Sequence, residues 1–273
     1  MRRTGPATEE SHEMDPQDDF TGCRVMVSAG ASGIGLAIAR AFHERGARVH
    51  VCDVSQEALA SAAAALPGLG VFRADVASEA EVDAWFAHAL AGLGGLDVLV
   101  NNAGIAGPTS AIGDLSVDDW DRTMAVNVRG QFLCVRRAIE PLRRSGRAAI
   151  INLSSVAGRL GYPMRTPYAA SKWAVVGLTQ SLAIELGDDD IAVNAILPGI
   201  VESERVNQVV AAKARLRGIP EPAMRAEVLQ HVALHRTVPM DDIARTALFL
   251  ASGTGRSITG QCMNICAGVQ TLR

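Results

Sequence analysis

Short apolar runs alternate with longer amphipathic stretches along the chain from about Thr21 onward. The runs have the length and Val/Ile/Leu content of strands, whereas the stretches repeat apolar residues at helical spacing. The predicted strands are Arg24–Ser28, Arg48–Cys52, Gly70–Arg73, Leu96–Val100, Ala148–Leu153, Ala192–Leu197 and Gln261–Ile265. The predicted helices are Gly33–Arg45, Gln56–Leu66, Glu79–Leu90, Val117–Arg144, Pro167–Leu186 and Asp241–Leu250.

This alternation predicts the fold class. Strands that are apolar along their whole length, separated by helices, are typical of a parallel sheet buried on both faces. Right-handed crossovers then place helices on both sides of the sheet. We therefore predict an α/β fold, a single-domain, Rossmann-like, doubly wound parallel sheet of seven strands, and 273 residues suffice for such a core.

Two segments do not follow the alternation. Residues 1–20 are polar and acidic, with two basic against six acidic side chains, and we predict a flexible N-terminal extension before a domain over 21–273. The segment Ile200–Arg236 is charged and partly helical. It follows the sixth strand, at the carboxyl edge where such sheets bind ligands, so we predict a substrate lid at about 200–236.

Composition excludes several classes of protein. The formal net charge is −3, which gives no electrostatic basis for binding nucleic acid or an anionic membrane. We find neither the apolar region of a signal peptide nor an apolar run near the ~18 residues that span a bilayer, so we expect a cytoplasmic protein. The five cysteines lack metal-ligand spacing, and no metal is expected.

A glycine-rich turn joins the first predicted strand to the first predicted helix, with the sequence Ser28-Ala-Gly30-Ala-Ser32-Gly33-Ile34-Gly35. Glycines let backbone N–H groups approach a pyrophosphate, and a helix N-terminus attracts its charge. Asp53, at the end of the second strand, is placed to accept hydrogen bonds from ribose hydroxyls and would repel a 2′-phosphate. Because no Arg or Lys lies in the turn or beside Asp53 in the sequence, the pattern favours NAD(H) over NADP(H).

Polar residues also follow the third and fourth predicted strands, and each of these two groups has two possible roles. Asp75, followed by Val76, either meets the adenine edge or serves as a helix N-terminal acid. The run Asn101-Asn102-Ala103-Gly104 ends the fourth strand. It either lets the backbone approach a ligand closely or uses its Asn side chains to brace neighbouring strands.

The residues with catalytic potential lie on the fifth strand and the helix that follows it. Tyr168 and Lys172 are four residues apart on the predicted helix, so they share one face. Ser155 lies just beyond a buried strand, 13 residues before the tyrosine, at the ligand-binding edge. A phenol has a pKa near 10, and an ammonium one turn away should lower it towards the range of a useful base.

These motifs, together with Asn127-Val-Arg-Gly130 and Pro198-Gly199, resemble the classical short-chain dehydrogenase/reductases from about Gly22 to Gly268. The resemblance implies that Tyr168 exchanges a proton with the substrate oxygen, which Ser155 holds by a hydrogen bond. It implies that Lys172 binds the nicotinamide ribose and that Asn127 shapes its helix and holds a water that links Lys172 to solvent.

The resemblance also implies a set of cofactor contacts. They are Ser28, Gly30, Ser32, Gly33, Ile34, Gly35, Asp53, Val54, Asp75, Val76, Asn102, Ala103, Gly104, Tyr168, Lys172, Pro198, Gly199, Val201 and Ser203. The chain departs from the family at Ala29, where the family usually has glycine. We expect Gly30 to take up the turn instead, which leaves open whether Ala29 weakens cofactor binding.

We therefore expect an NAD(H)-dependent oxidoreductase that interconverts a secondary alcohol (a polyol, sugar, hydroxy acid or cyclic alcohol) and a ketone. The alternatives are an NADPH-dependent reductase of the 3-oxoacyl-carrier-protein type and a non-catalytic, nucleotide-sensing scaffold. The arginines of the lid, Arg159 and Arg165 are either solvated surface charges or include one that pairs with an anion on the substrate. Family resemblance implies a homotetramer, with a dimer second, and apolar helix residues are candidate subunit contacts: Trp120, Phe132, Trp173 and Leu178.

Overall fold

The computed structural model describes residues 19–272, excluding the side chains of Glu204, Arg205, Gln208, Val209, Ala212, Lys213 and Leu216. The strands are β1 (Arg24–Ser28), β2 (Arg48–Asp53), β3 (Gly70–Arg73), β4 (Val98–Asn101), β5 (Ala149–Leu153), β6 (Ala192–Pro198) and β7 (Cys262–Ile265). The α-helices are α1 (Gly33–His43), α2 (Gln56–Ala65), α3 (Glu79–Leu93), α4 (Val117–Met124), α5 (Gly130–Arg143), α6 (Thr166–Glu185), α7 (Glu204–Arg217), α8 (Glu221–Leu229) and α9 (Met240–Ala251).

The strands form one parallel sheet in the order β3-β2-β1-β4-β5-β6-β7. The chain builds outward from β1 to β3, returns to β4 on the other side of β1, and then builds outward to β7. This reversal leaves a crevice at the carboxyl ends of β1 and β4, where ligands bind in sheets of this type. The predicted seven-stranded, doubly wound fold is confirmed.

Helices cover both faces of the sheet because alternate side chains of each strand point to opposite sides. Val25 and Val27 of β1 pack with Ile38 in the layer that contains α1, α2 and α9. Met26, between them, packs with Trp85 in the layer that contains α3, α5 and α6. Both layers are apolar, which explains why the strands read as continuous hydrophobic runs.

The structure refines several predicted boundaries by three residues or fewer and changes one element more substantially. The stretch predicted as one helix, Val117–Arg144, is helical but contains a π-helical turn at Ala125–Arg129 between α4 and α5. Asn127 lies inside this turn and is fully buried. Turns of this kind concentrate at functional sites because they redirect side chains within an otherwise regular helix.

The chain around the predicted N-terminal boundary also differs from expectation. Residues 1–18 of the predicted extension lie outside the described residues. Phe20, which the prediction assigned to the extension, is 2% exposed and packs edge-on against Phe42 with ring centroids 5.0 Å apart. The core therefore includes this residue, one position before the predicted start of the domain.

The segment predicted as a lid contains two helices, α7 and α8, which pack on each other through Val210, Ala214 and Met224. Its end is tied to the chain's C-terminal segment, since the Ala233 amide donates to Gly268 O at 2.9 Å. Within residues 19–272, no helix has the combined length and apolar character of a membrane span.

A buried histidine connects β2 to α3. Trp85 Nε1–H donates to Nδ1 of His50 at 3.2 Å, which leaves the His50 proton on Nε2, 3.0 Å from His88 Nδ1. His50 is 4% exposed. Burial, with a smaller contribution from the neighbouring His88, lowers the pKa of His50 to about 4.

We predict that this histidine makes the fold sensitive to acid. The unfolded chain protonates His50 near pH 6.5, whereas the folded chain does so only near pH 4. The stabilisation is therefore complete above about pH 6.5 and is lost as the pH falls towards 4, by as much as ~3 kcal/mol. Denaturant unfolding between pH 4 and 7 should show a shallower pH dependence for His50→Asn, whose amide oxygen still accepts from Trp85. An equally steep dependence in that variant would refute the assignment.

Candidate active site

The glycine-rich turn after β1 contains a residue in a strained conformation. Ala29 has a φ of +48°, in the left-handed region that favours glycine, and Gly33 has a φ of +53°. Gly30 is not in this region, so the expectation that Gly30 would take up the turn is wrong. Gly35 is required for space, because an added Cβ would lie 2.1 Å from the carbonyl oxygen of Ala29.

The N-terminus of α1 differs from those of the next helices. Ser55, Ser78 and Ser116 each cap their helix by accepting a hydrogen bond from a first-turn amide, and each of these helices has acidic residues in its first turn. Ser32 makes no side-chain cap, and the first turn of α1 has no acidic residue. A Cβ built on Gly33 would meet nothing within 4 Å. The open space and uncapped amides fit a dinucleotide pyrophosphate.

Ser28 and Asn102 hold this turn against β4. The Ser28 hydroxyl accepts from the amides of Asn102 and Ala103 at 3.0 and 3.1 Å. The Asn102 side chain donates to the carbonyls of Ser28 and Ala29 at 3.1 and 2.9 Å. The side chain of Asn102 thus takes the bracing role that the sequence left open, while its backbone lines the crevice with Ala103 and Gly104.

Asp53 lies at the end of β2, facing the same turn. Its carboxylate accepts from the Ser55 amide at 3.1 Å and, at a longer 3.4 Å, from the Ala31 amide. Val54, the next residue, is 55% exposed, so its side chain is open to contact with a nucleotide.

The sheet also brings one cation to this point that the linear sequence does not reveal. Arg73 is the register partner of Asp53 on β3. Its guanidinium is bonded to Glu81, whose carboxylate also accepts from the Asp75 amide. The sequence places no basic residue beside Asp53, whereas the folded sheet does, although Arg73 already has an acidic partner.

Asp75 has its own partners beyond the crevice. One carboxylate oxygen accepts from the Ala77 amide at 2.9 Å, and the other pairs with Arg122 at 2.9 Å. Partial burial opposes ionisation, but the Ala77 and Arg122 hydrogen bonds outweigh it and lower the pKa of Asp75. These contacts hold Asp75 in the turn that precedes α3 and join that turn to α4. Val76, by contrast, is buried, and a Cβ on Gly130 would come within 2.8 Å of it.

Lys172 and Asn127 lie together behind the end of β4. The Lys172 ammonium, on a residue 4% exposed, donates to the Leu153 carbonyl at 2.9 Å. Gly104 makes room for both side chains, since its Cβ would lie 3.2 Å from Lys172 Nζ and 3.4 Å from Asn127 Oδ1. Asn127 accepts from the Ile105 amide and donates to the Ile105 carbonyl, at 2.8 and 2.9 Å.

A further bond couples the π turn to the helix of Tyr168. Asn127 Nδ2 also donates to Ser171 Oγ at 2.9 Å, and Ser171 Oγ donates to the Tyr168 carbonyl at 2.7 Å. Lys172 Nζ is 5.7 Å from the centroid of the Tyr168 ring. Asn127 is thus linked through Ser171 to the helix that carries Tyr168 and Lys172, whereas sequence spacing alone indicates only the Tyr–Lys pair.

Ser155 follows β5 in a loop that is seated on α6. Its hydroxyl accepts from the Ala157 amide at 3.2 Å and still carries a proton to donate. Neighbouring Ser154 donates to the Lys172 carbonyl at 2.8 Å, and a Cβ on Gly158 would come within 2.6 Å of that oxygen. The loop and the helix therefore approach too closely for any larger residue at position 158.

The segment after β6 lies at the same edge. Gly199 passes so close to β7 that a Cβ would lie 2.7 Å from Cys266 Cα. Val201 forms a bridge with Val238, and Ser203 caps α7 by accepting from the Val206 amide at 3.3 Å. Pro198, the last residue of β6, leads into this segment.

The sequence analysis named Arg165 among the arginines that could pair with an anion on the substrate, and the structure distinguishes it from the others. Its Cζ atom lies 5.6 Å from the centroid of the Tyr168 ring and 5.4 Å from that of Tyr162. The only signal available in the sequence was its position three residues before the tyrosine. No group of three or more His, Cys, Asp or Glu side chains in the described part of the chain is arranged to hold a metal ion.

Comparison with known proteins identifies the family to which the chain belongs. A family model described as enoyl-(acyl carrier protein) reductase matches residues 28–270. An oxidoreductase of Thermotoga maritima is 37% identical over 92% of this chain and 98% of its own length. D-beta-hydroxybutyrate dehydrogenase of Cupriavidus necator is 33% identical over 91% of this chain and 98% of its own. The crystal structure of a single-residue variant of actinorhodin polyketide ketoreductase with NADPH superimposes with a TM-score of 0.85, at 31% identity, covering 94% of this chain and 99% of that one.

The fold and these similarities are those of an oxidoreductase. The chain belongs to the short-chain dehydrogenase/reductase family, and the resemblance inferred from its motifs is confirmed. Enzymes of this family act on alcohols and ketones and use a nicotinamide cofactor.

The strain at Ala29 generates a stability prediction. A non-glycine residue in the left-handed region destabilises the folded state by ~1–2 kcal/mol. Replacing it by glycine removes this strain, but the greater entropy of glycine in the unfolded chain cancels ~0.5–1 kcal/mol of the gain. Ala29→Gly should therefore raise the free energy of unfolding by up to ~1 kcal/mol in denaturant titrations. Ala31→Gly, at a buried position without a positive φ, should instead lower it. A loss of stability in Ala29→Gly as large as in the control would contradict the strained geometry.

Proposed function

We propose that the protein is an NAD(H)-dependent dehydrogenase that interconverts a secondary alcohol and a ketone, with Tyr168 as the general acid and base. The observation that carries the proposal is the buried Lys172 ammonium, bonded to the Leu153 carbonyl one helical turn from Tyr168. A buried ammonium is costly unless it has a specific purpose and partners. Here it lies at the carboxyl edge of the sheet, beside the crevice that fits a dinucleotide.

We assign the cofactor contacts named from the sequence, apart from Asp75 and Val76, to the surroundings of this crevice. The turn from Ser28 to Gly35 offers the uncapped N-terminus of α1 to the pyrophosphate, and Asp53 and Val54 face the adenosine side. The backbones of Asn102 to Gly104 and of Pro198 to Val201, with Ser203, would hold the nicotinamide side. When bound, the nicotinamide supplies or accepts the hydride.

The chain's own groups provide the proton chemistry. In alcohol oxidation, the Tyr168 phenolate takes the hydroxyl proton, and in ketone reduction the phenol returns it. The Lys172 ammonium favours the phenolate by charge and binds the nicotinamide ribose. The Ser155 hydroxyl donates to the substrate oxygen and so fixes the reacting carbon against the nicotinamide. Asn127 keeps the π turn and α6 in register through Ile105 and Ser171.

NAD(H) is our proposal for the preferred cofactor, and the NADPH-dependent ketoreductase is the second candidate. The second candidate is favoured by the similarity to the actinorhodin ketoreductase, whose structure contains NADPH. The buried carboxylate of Asp53 argues against it, because a 2′-phosphate would meet a negative charge in place of an arginine. The guanidinium of Arg73 is bonded to Glu81, which supports NAD(H) as well.

We propose that the protein forms a homotetramer, with a dimer as the alternative. Phe132 on α5 is 47% exposed and Trp173 on α6 is 51% exposed, although both are large and apolar. Exposed aromatic side chains are typical of subunit contacts. The other two candidates, Trp120 and Leu178, are partly buried within the chain. A cytoplasmic location stays a prediction.

The role of Tyr168 leads to a direct test of activity. A screen of polyols, sugars, hydroxy acids and cyclic alcohols with NAD+ should reveal turnover, followed by NADH absorbance. Tyr168→Phe should reduce kcat/KM by at least ~100-fold and leave NAD+ affinity unchanged, because only the proton donor is lost. Tyr162→Phe is the matched control, since it removes the chain's other phenol, and it should retain most of the activity. Equal activity in Tyr168→Phe and wild type would reject the mechanism.

The role of Asp53 leads to a test of cofactor choice. Asp53→Ser removes both the acceptor for the ribose hydroxyls and the negative charge that disfavours a 2′-phosphate. The ratio of kcat/KM with NAD+ to kcat/KM with NADP+ should fall by ~10-fold or more. Glu57→Gln removes an equal charge from an exposed position four residues further on and should leave the ratio unchanged. A higher rate with NADP+ in the wild type would transfer support to the ketoreductase candidate.

A further inference from the structure

Arg165 lies directly before α6, three residues before Tyr168. Its guanidinium carbon is 5.6 Å from the Tyr168 ring centroid, while Lys172 Nζ is 5.7 Å from the same point. Two cations therefore flank the residue proposed to exchange the proton. Their combined field favours an anion at this place.

The hydrogen bonds of Arg165 use only part of its donor capacity. Nη2 donates to the Ala106 carbonyl at 3.2 Å and Nη1 to the Thr109 hydroxyl at 3.4 Å. Nε is buried and has no hydrogen-bond partner. Among residues 19–272, no described carboxylate lies within 4.0 Å of this guanidinium. Arg165 is thus a half-buried cation that is bonded to neutral acceptors.

The loop around Arg165 is fixed in place rather than free to turn the side chain into solvent. Met164, the preceding residue, has a φ of +62°, a left-handed conformation that a non-glycine residue adopts at a cost. Its carbonyl accepts from the Ser110 amide at 2.9 Å, which joins this loop to the loop after β4. The neighbouring structure therefore maintains a strained backbone that presents the guanidinium beside Tyr168.

The other arginines near this edge have different surroundings. Arg159 is exposed and donates to the Cys262 carbonyl at 2.7 Å. In the lid, Arg217 pairs with Glu227, and Arg225 donates to Asn207. These contacts agree with ordinary surface roles. Of these four arginines, Arg165 is the one that lies next to the tyrosine, and its two Nη atoms keep N–H groups beyond their bonds to Ala106 and Thr109.

We propose that Arg165 binds an anionic group of the substrate, and that the protein acts on hydroxy acids and keto acids in preference to neutral alcohols. The inference rests on the proposed dehydrogenase function and selects one substrate class within it. A carboxylate would accept from the remaining N–H groups of the two Nη atoms and would neutralise a cation that has no described carboxylate within 4.0 Å. Its charge would also draw the substrate to the side of Tyr168 on which its hydroxyl can be reached.

The test compares acids with their uncharged counterparts. Wild-type protein is assayed with NAD+ on 2-hydroxy and 3-hydroxy acids of three to six carbons and on the methyl ester of each. We expect kcat/KM for at least one acid to exceed that of its ester by ~10- to 100-fold. In Arg165→Met, which keeps an unbranched apolar stem and removes the guanidinium, the acid should lose this advantage through KM, while the ester changes less than about twofold. Arg165→Lys should recover part of it.

Arg159→Met is the matched control, because it removes an equal charge from an exposed residue of the same region. It should turn over acid and ester as the wild type does. Melting temperature and NAD+ affinity of each variant show whether the fold is intact. If Arg165→Met does not fold, two other measurements replace it. One is the ratio of acid to ester turnover in Arg165→Lys, and the other is the inhibition of ester turnover by butyrate in the wild type.

A readout independent of turnover is the binding of butyrate to the NAD+-saturated protein, measured by calorimetry. We expect saturable binding in the wild type and in Arg159→Met, and none in Arg165→Met.

Equal turnover of acid and ester, or absence of butyrate binding, would overturn the inference and leave the dehydrogenase intact. A uniform loss on both substrates, with a shifted pH profile, would also overturn it, since Arg165 would then act on Tyr168. Absence of turnover on every alcohol, with butyrate still bound, would count against the proposed function alone.

Discussion

The hydrogen bond from the buried Lys172 ammonium to the Leu153 carbonyl fixes the position of α6 against the sheet. A charge so deeply placed needs partners, and the surroundings are built to accommodate it. Gly104 leaves space for it, and Gly158 lets the following loop approach the Lys172 carbonyl. Because Tyr168 lies one turn earlier on the same helix, any change in the packing around Lys172 would move the tyrosine too. The proposed chemistry therefore depends on a packing arrangement as much as on the two side chains.

The π turn at Ala125–Arg129 also helps to hold α6 in position. It directs Asn127 inward, where one amide group links the loop after β4 to Ser171 on α6. At the cofactor side, Asn102 plays an equivalent part by holding the strained turn at Ala29. Amide side chains suit this work because each can donate and accept at once. The crevice is thus bordered by backbone that side chains hold in place.

Much of this could be predicted from the sequence. The strands are visible because both faces of the sheet are buried, and Tyr168, Lys172 and the glycine-rich turn stand at recognisable spacings. The π turn could not be predicted, since one extra residue in a helix barely disturbs an amphipathic pattern. Arg73 beside Asp53 follows from strand register, a long-range property. The contacts of Arg165 likewise depend on the position of the loop after β4 relative to the loop before α6. This position is a long-range property that local sequence does not determine.

Titration of NAD+ and NADP+ into the wild-type protein in a calorimeter is the most direct test, because it requires no knowledge of the substrate. The uncapped N-terminus of α1, the open space at Gly33 and the carboxylate of Asp53 together predict one NAD+ bound per chain, with weaker binding of NADP+. Binding of neither nucleotide would contradict the proposed function, because the strained turn at Ala29 would then fail to hold a pyrophosphate, and a non-catalytic scaffold would replace the dehydrogenase.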